Sequence, residues 1–211
     1  MRLKNSQNFK KISYILSRNF FLKKKLKILE FGVDAGYSTK CFLDYCKKNN
    51  GKLYSVDTIN YANLFKNSKW KFIQSRDDNF LKIKKEVKFP VDIIFLDTEH
   101  TAEHVEKIFY LYFKYLKKDG YFIIDDISWI PYLMNKKRNN EWIENNNRST
   151  FLKLIEILTS NEKSLRLEFL FNYSGLAIVK KINNKLFKPE KIYSREYMIK
   201  NSLRKIKKLF F

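Results

Sequence analysis

Apolar residues in this chain follow two rhythms, short unbroken runs and longer stretches with a helical repeat, and the two alternate. Residues 6–22, SQNFKKISYILSRNFFL, set Phe9, Ile12, Ile15, Leu16 and Phe20 at helical spacing and predict a lid or packing helix. KILEF (27–31) predicts a buried strand and GYSTKCFLDYCKK (36–48) the helix after it. KLYSVD (52–57) and WKFIQ (70–74) predict two more strands with a short helix between them. DDNFLKIKKEV (77–87) predicts a helix, VDIIFLD (91–97) a fourth strand, TAEHVEKIFYLYFKYL (101–116) an amphipathic helix, and GYFIIDD (120–126) a fifth strand. Strands alternating with helices imply an α/β fold with a parallel, right-handed, doubly wound sheet.

Past residue 126 the rhythm changes. Residues 128–147, SWIPYLMNKKRNNEWIENNN, predict a polar, Asn-rich loop with aromatic insertions. STFLKLIEIL (149–158) predicts a helix capped by Ser149 or Thr150, and LRLEFLFNYSGLAIVKK (165–181) an antiparallel hairpin around a tight NYSG turn. The chain has 211 residues, enough for one α/β domain with a buried core and short for two. The expected division is a helical extension at 1–25, one domain at 26–182 and a basic tail at 183–211.

Composition adds a charge problem. Lys and Arg number 43 against 22 Asp and Glu, a formal charge of +21. Such a field attracts phosphates, anionic lipid surfaces or acidic substrates. Lysine is also spread along the whole chain with abundant Asn, Ile and Phe, as a coding bias toward A and T produces without any polyanion partner. The excess is greatest from Lys180 to Phe211, where Ile199, Leu203, Ile206 and Phe210 recur at helical spacing among Arg204, Lys205, Lys207 and Lys208. A basic amphipathic helix suits an anionic membrane or nucleic acid, and equally a dock on its own domain or on a second subunit in a homodimer. No apolar stretch reaches the roughly 18 residues of a membrane span, and the first 25 residues are too charged for a signal peptide. The expected location is cytoplasmic, peripheral at most at the inner face of a membrane. Cys41 and Cys46 lie five residues apart in one predicted helix, too far for a disulfide, and no CxxC or His-rich spacing suggests zinc.

The acids carry the chemistry. In an open α/β sheet the carboxyl ends of the strands converge on one crevice, and here those ends carry Glu30, Asp57, Asp97, Asp125 and Asp126. Glu30-x-Gly32-x-x-x-Gly36-x-Ser38 supplies a strand, a glycine-bearing turn and a helix amino terminus whose free N–H groups suit a carboxylate. S-adenosylmethionine (SAM) has a carboxylate, an ammonium, two ribose hydroxyls and an adenine, and no phosphate. Glu30 is placed to help hold the ammonium, Asp57 to accept both ribose hydroxyls, and Asp77, in SRDD after the third strand, to accept the adenine amino group or to cap a helix.

ILEFGVDAGYST resembles the ELGxxxGYS segment of the catechol and caffeoyl-CoA O-methyltransferases, and FLDTEH with KKDGYFIIDDIS resembles the macrocin O-methyltransferase family of sugar-modifying enzymes. The resemblance covers roughly residues 26–128 and implies the seven-stranded methyltransferase variant of the Rossmann-like sheet. It also implies that Asp97, Asp125 and Asp126 bind Mg²⁺ or a similar divalent cation, and that the acceptor is a small molecule with a hydroxyl, such as a sugar. A cation there would make a bound hydroxyl easier to ionise. Glu99 matches the second acid of the sugar-enzyme D-x-D motif, and His100 stands where the catechol type has its catalytic lysine, so either is a candidate base. The catechol-type lysine is absent, and Asp126 replaces an Asn. His104 reads as a surface or supporting histidine, Trp129, Tyr132 and Trp142 as a substrate cover or ordinary packing, and Arg148 as a partner for an acidic substrate. Two other readings stand beside O-methyl transfer: an RNA methyltransferase, favoured by the charge but without an Asn-Pro-Pro-Tyr-like motif or a cysteine after a strand, and a non-catalytic membrane-associated protein that keeps the fold.

Overall fold

The computed structural model describes residues 7–20, 23–129, 140–171 and 174–193, together with 203, 206 and 207. Asn172 and Tyr173 of the NYSG turn, Tyr132 and much of the basic tail lie outside these. Seven strands form one sheet: β1 (Lys27–Phe31), β2 (Lys52–Asp57), β3 (Trp70–Gln74), β4 (Val91–Leu96), β5 (Leu116–Asp125), β6 (Leu165–Leu170) and β7 (Leu176–Lys181). Their spatial order is β3-β2-β1-β4-β5-β7-β6. The first five run parallel, and β7 enters antiparallel between β5 and β6.

Helices cover both faces, which is why the central strands are nearly continuous apolar runs. Side chains alternate across a strand. Ile28, Ile93, Phe95 and Ile123 therefore pack under α1 (Gln7–Phe20) and α2 (Tyr37–Lys48). Leu29, Phe31, Ile94, Leu96 and Phe122 pack on the other face, under α3 (Phe80–Glu86), α4 (Ala102–Phe113) and α5 (Glu141–Asn161). Cys41 and Cys46 are buried free thiols, and burial pushes each up to about 12, which leaves them unreactive.

Three expectations about elements need correction. No helix joins β2 to β3. The carboxamide oxygens of Asn60 and Asn67 each accept a backbone N–H two residues on, from Ala62 and Lys69, so turns replace it. β5 begins at Leu116 rather than Gly120, with a register shift between Val91 and Ile93 absorbing the extra residues. α5 begins at Glu141, inside the predicted loop, because Asn140 caps it by accepting from the Ile143 N–H and two acids, Glu141 and Glu144, occupy its first turn. Thr150 is consequently not a cap.

The two ends of the sheet differ in charge. Lys27 and Lys52 are register partners at the amino ends of β1 and β2. Burial and then Lys117 lower the pKa of Lys27; burial and then Lys71 and Lys69 lower that of Lys52. The carboxyl ends carry the acids. Among the described residues no helix is long and apolar enough to cross a membrane.

Lys181 has another role. Its buried ammonium donates to the carbonyls of Phe113 (2.7 Å), Leu116 (2.5 Å) and Lys114 (3.3 Å), satisfying groups that the end of α4 leaves without helical partners. Burial alone pushes it down to about 8, and the three carbonyls oppose that by favouring the charged form. We expect Lys181→Met to strand these carbonyls and to destabilise the fold by roughly 1–3 kcal/mol. Urea unfolding of wild type and variant measures the difference, and an unchanged midpoint would show that water replaces the lysine at no cost.

Candidate active site

The turn after β1 depends on Gly32, whose φ is +90°. A Cβ on Gly32 would lie 1.9 Å from the Asp97 carbonyl oxygen, so only glycine lets this loop cross the carboxyl end of β4. Gly36, with φ +76°, turns the chain into α2; a Cβ there would meet Leu64 at 2.6 Å and Phe65 at 3.2 Å. Gly36 is thus roofed by those side chains and does not line the cleft described below.

Glu30 departs from its expected role at the cofactor ammonium. It is 0% exposed and accepts hydrogen bonds from Ser38 Oγ (2.6 Å), Thr39 Oγ1 (2.8 Å) and Ser55 Oγ (2.6 Å). An acid placed among apolar strands must find donors inside the protein, and these hydroxyls come from α2 and β2. Ser38 is likewise buried and spent on Glu30. Burial pushes the Glu30 carboxyl up to about 7 against the pull of the three hydroxyls.

Beyond Gly32 opens a cleft of about 310 Å³, lined among others by Asp57, Ser75, Asp77, Asp97, Thr98 and Glu99. Asp57 accepts from the Val33 N–H at Oδ2 (2.8 Å) and the Ile59 N–H at Oδ1 (2.9 Å), so it anchors the loops on both sides while facing the cleft. Asp77 is 7% exposed. Its Oδ2 accepts from Thr98 Oγ1 (2.6 Å) and lies 2.7 Å from His104 Nε2, and its backbone carbonyl accepts from Tyr112 Oη (2.7 Å). The buried Ser75 hydroxyl has no hydrogen-bond partner among the described residues. Asp77 is not the cap of α3; Asn79 is, accepting from the Lys82 N–H. Glu99 turns to this side of the cleft. Its side chain is 56% exposed, accepts from Thr101 Oγ1 (3.0 Å) and stands 3.7 Å from His104 Nδ1.

At the far end, ligand atoms of Asp97, His100 and Asp126 all lie within 4.8 Å of one another. His100 Nε2 is 3.7 Å from Asp97 Oδ1 and 3.5 Å from Asp126 Oδ2, beyond good hydrogen-bond length. Burial, then the charges of Asp125 and Asp126, push the Asp97 carboxyl well above the usual range. Asp125 is not in this group of three. It is 2% exposed, and its Oδ1 takes Lys11 Nζ (2.5 Å), Ser174 Oγ (3.0 Å) and the Asp126 N–H (2.8 Å). The two neighbouring acids part because Asp126 has φ +57°, a left-handed conformation that ends the strand and sends its carboxylate toward His100. Thr150, from α5, donates to the His100 carbonyl (3.1 Å) and so fixes that loop. Trp129, three residues past Asp126, packs 5.9 Å from Phe151 with the Arg148 guanidinium 5.3 Å over its ring, whereas Trp142 is 68% exposed.

Lys11 was missed in the sequence, although it precedes Ile15 by one helical turn and so lies on the apolar stripe of α1. His104 bears the same relation to Ile108 in α4. Lys11→Met leaves Asp125 a buried charge without its cation, and we expect a loss of roughly 3–5 kcal/mol in thermal or denaturant unfolding; a loss under about 1 kcal/mol would mean that Asp125 simply takes a proton. For Glu30 the folded pKa lies above the unfolded one, so its contribution is complete below the ordinary 4.5 and is lost as pH rises through about 7. Melting temperatures of wild type and Glu30→Gln across pH 5–9 should therefore move in the variant's favour on the alkaline side, and parallel curves would contradict the shift.

The chain has counterparts among known proteins. A family model described as a methyltransferase domain matches residues 29–127. An uncharacterized protein of Acanthamoeba polyphaga mimivirus is 30% identical over 133 residues, 55% of this chain and 59% of that one, so the chain spans under two thirds of this relative's length. Among solved structures, MycE methyltransferase from the mycinamycin biosynthetic pathway, in complex with Mg, SAH and mycinamycin VI, superposes with a TM-score of 0.60 at 18% identity, over 86% of this chain and 56% of its own. A Staphylococcus aureus protein assigned as a caffeoyl-CoA O-methyltransferase gives a TM-score of 0.62 at 18% identity, over 84% of each chain. Residues 29–127 thus resemble a methyltransferase domain, and the sheet has the class I methyltransferase fold shared by metal-dependent O-methyltransferases.

Proposed function

We propose that the protein is a SAM-dependent O-methyltransferase, assisted by Mg²⁺ or a similar divalent cation, that acts on a hydroxyl of a sugar or other small metabolite. The observation that carries this reading is the continuity between a cleft bearing Asp57 and Asp77 at one end and the Asp97, His100 and Asp126 group at the other.

The cleft fits SAM in its donors and acceptors: glycine-turn backbone at its floor, an acid after β2 for ribose hydroxyls, and an acid after β3 for adenine. The far group fits a divalent cation, because two carboxylates and an imidazole converge, and a cation would offset the burial and the neighbouring acidic charges that press on Asp97. Asp97 and Asp126 would hold it. When bound, the cation lowers the pKa of an acceptor hydroxyl and orients it. His100 Nε2, beside both of these acids, is the candidate to take that proton. Glu99 is the runner-up base, set back by its turn toward His104. Asp125 serves by fixing Asp126 through its bond to the Asp126 N–H.

The sugar-type acceptor rests on resemblance to the macrocin enzymes and on likeness to MycE. An RNA acceptor draws support from the net charge, but Lys27 and Lys52, at the amino ends of β1 and β2, are at the opposite end of the strands from this cleft.

Calorimetric titration with SAM, with and without Mg²⁺, tests the reading. We expect Asp57→Ala to weaken SAM binding at least about tenfold, through loss of one charge-assisted interaction. Asp126→Ala should keep SAM binding and lose the Mg²⁺ heat. Folded wild-type protein that binds no SAM would overturn the assignment.

A further inference from the structure

The fold sorts the charge of this chain by position along its strands. In a parallel sheet every strand enters at one edge and leaves at the other. The segments at the entry of β1 to β5 are KKKLK (23–27), KKNNGK (47–52), KNSKWK (66–71), KKEVK (84–88) and KYLKKD (114–119). They hold sixteen lysines, no arginine and two acids, Glu86 and Asp119. The segments at the exit of the same strands, as far as Trp129, are GVDAG (32–36), DTINYANLF (57–65), SRDDN (75–79), DTEHT (97–101) and DDISW (125–129). They hold eight acids and one Lys or Arg, Arg76. A coding bias acts on the chain without regard to the fold, so it gives no reason for lysine to gather at one edge of the sheet.

Stability accounts for only some of these lysines. Lys47, Lys48, Lys84 and Lys85 stand in the last turns of α2 and α3, where they complement the helix dipoles. Lys71 pairs with Glu86 at 2.6 Å and Lys117 with Asp92 at 2.8 Å, and among the described residues no other member of the sixteen makes an ion pair. Asp119 is taken by Lys180, from outside the group. Lys27 and Lys52 turn their ammonium groups to the carbonyls of Lys88 and Ser68 instead. Burial and then Lys117 lower the pKa of Lys27, and burial and then Lys71 and Lys69 lower that of Lys52, so neighbouring lysines repel across this edge. All sixteen are at least partly exposed. The folded chain gains nothing from that repulsion, whereas an anionic partner relieves it.

We propose that the amino edge of the sheet is a docking surface for an anionic lipid bilayer. The strands β3, β2, β1, β4 and β5 are neighbours in that order, and at about 4.8 Å apart they set their entry segments side by side in a band about 20 Å long. Nucleic-acid recognition favours arginine, whose planar fork binds phosphate bidentately and stacks on bases. The five entry segments use lysine alone, a point charge that needs no fixed partner geometry and suits a field of mobile headgroups. The tail adds an apolar contribution. Leu203 and Ile206, in helical turns, are 59% and 51% exposed beside Lys207, and such side chains enter a lipid interface but gain nothing from RNA. A protein seated on this edge turns its acid-lined cleft toward water, where a dissolved acceptor reaches it.

Co-sedimentation of the full chain with vesicles tests this, using phosphatidylcholine alone and phosphatidylcholine with about 30% phosphatidylserine. We expect binding to the mixed vesicles only, at about 0.1 M salt, and release at about 0.5 M as screening shortens the reach of the charges. A triple variant, Lys24→Gln, Lys88→Gln and Lys118→Gln, removes one exposed lysine from each of three entry segments. It should weaken binding roughly 100-fold, at about fivefold per lysine. A second triple, Lys10→Gln, Lys40→Gln and Lys82→Gln, changes the net charge equally in the first turns of α1, α2 and α3, away from this edge, and should stay within about 3-fold of wild type. Equal losses in the two triples would mean that net charge alone acts and would overturn the proposal. So would binding that survives the edge triple and is lost in Leu203→Ser with Ile206→Ser, which would place the contact in the tail. Wild type that ignores the mixed vesicles also sinks it, and if that protein binds a single-stranded RNA of about 20 nucleotides, the edge belongs to nucleic acid.

Discussion

A carboxyl group buried without exposure where three strands and a helix meet is tolerable only if the surroundings supply donors, and Glu30 finds its donors on different elements. Ser38 and Thr39 belong to α2 and Ser55 to β2, and the Ser55 hydroxyl in turn accepts from Trp70 Nε1 at the start of β3 (2.9 Å). One acid therefore couples β1, β2, β3 and the amino end of α2. The position of the glycine turn follows from this coupling, because the turn leaves β1 two residues later and enters α2 beside the same hydroxyls. Gly32 then has one place to pass, against the Asp97 carbonyl, and that contact joins the cofactor half of the cleft to the acid cluster beyond it.

Parallel strands impose the rest of the electrostatics. Each strand end projects to the same edge, so acids that are far apart in sequence crowd together: Asp97 with Asp125 and Asp126, Asp57 with Asp77 across the cleft. The protein handles the crowding by dividing labour. Asp125 is paired with Lys11, Asp77 accepts from Thr98 and lies against His104, and Asp78 is paired with Arg76 and Lys107, which hold it below the usual carboxylate range. Asp97 and Asp126 are left facing an imidazole, so the remaining demand for positive charge is concentrated at one point.

Much of this was legible in the residues. Apolar runs bounded by acids gave the central strands, because both faces of such a strand are covered; the glycines and the acid at 57 marked the cleft. What escaped was set by local chemistry or by distance. The Asn-rich stretch at 140–147 has the composition of a loop, yet one Asn cap and two acids suffice to start α5 there. The segment between β2 and β3 has apolar residues at helix-like intervals, but Leu64 and Phe65 are used as a roof over Gly36. In a chain with 43 basic residues, nothing but its place on an apolar stripe distinguishes Lys11. The separate fates of Asp125 and Asp126 depend on one backbone angle, which no pattern of residue types encodes.

The Lys11–Asp125–Ser174 contact also bears on time. Lys11 is 114 residues from Asp125 and 163 from Ser174. Local turns form long before such distant partners meet, since closing a long loop carries a large entropic penalty that only later contacts offset. Within this sequence α1 precedes both partners of its polar anchor, which is complete only once β5 brings Asp125 and the segment before β7 brings Ser174. A lysine in the middle of that apolar stripe disfavours burial against any surface without an acid, so the residue that ties α1 to β5 also discriminates against wrong partners.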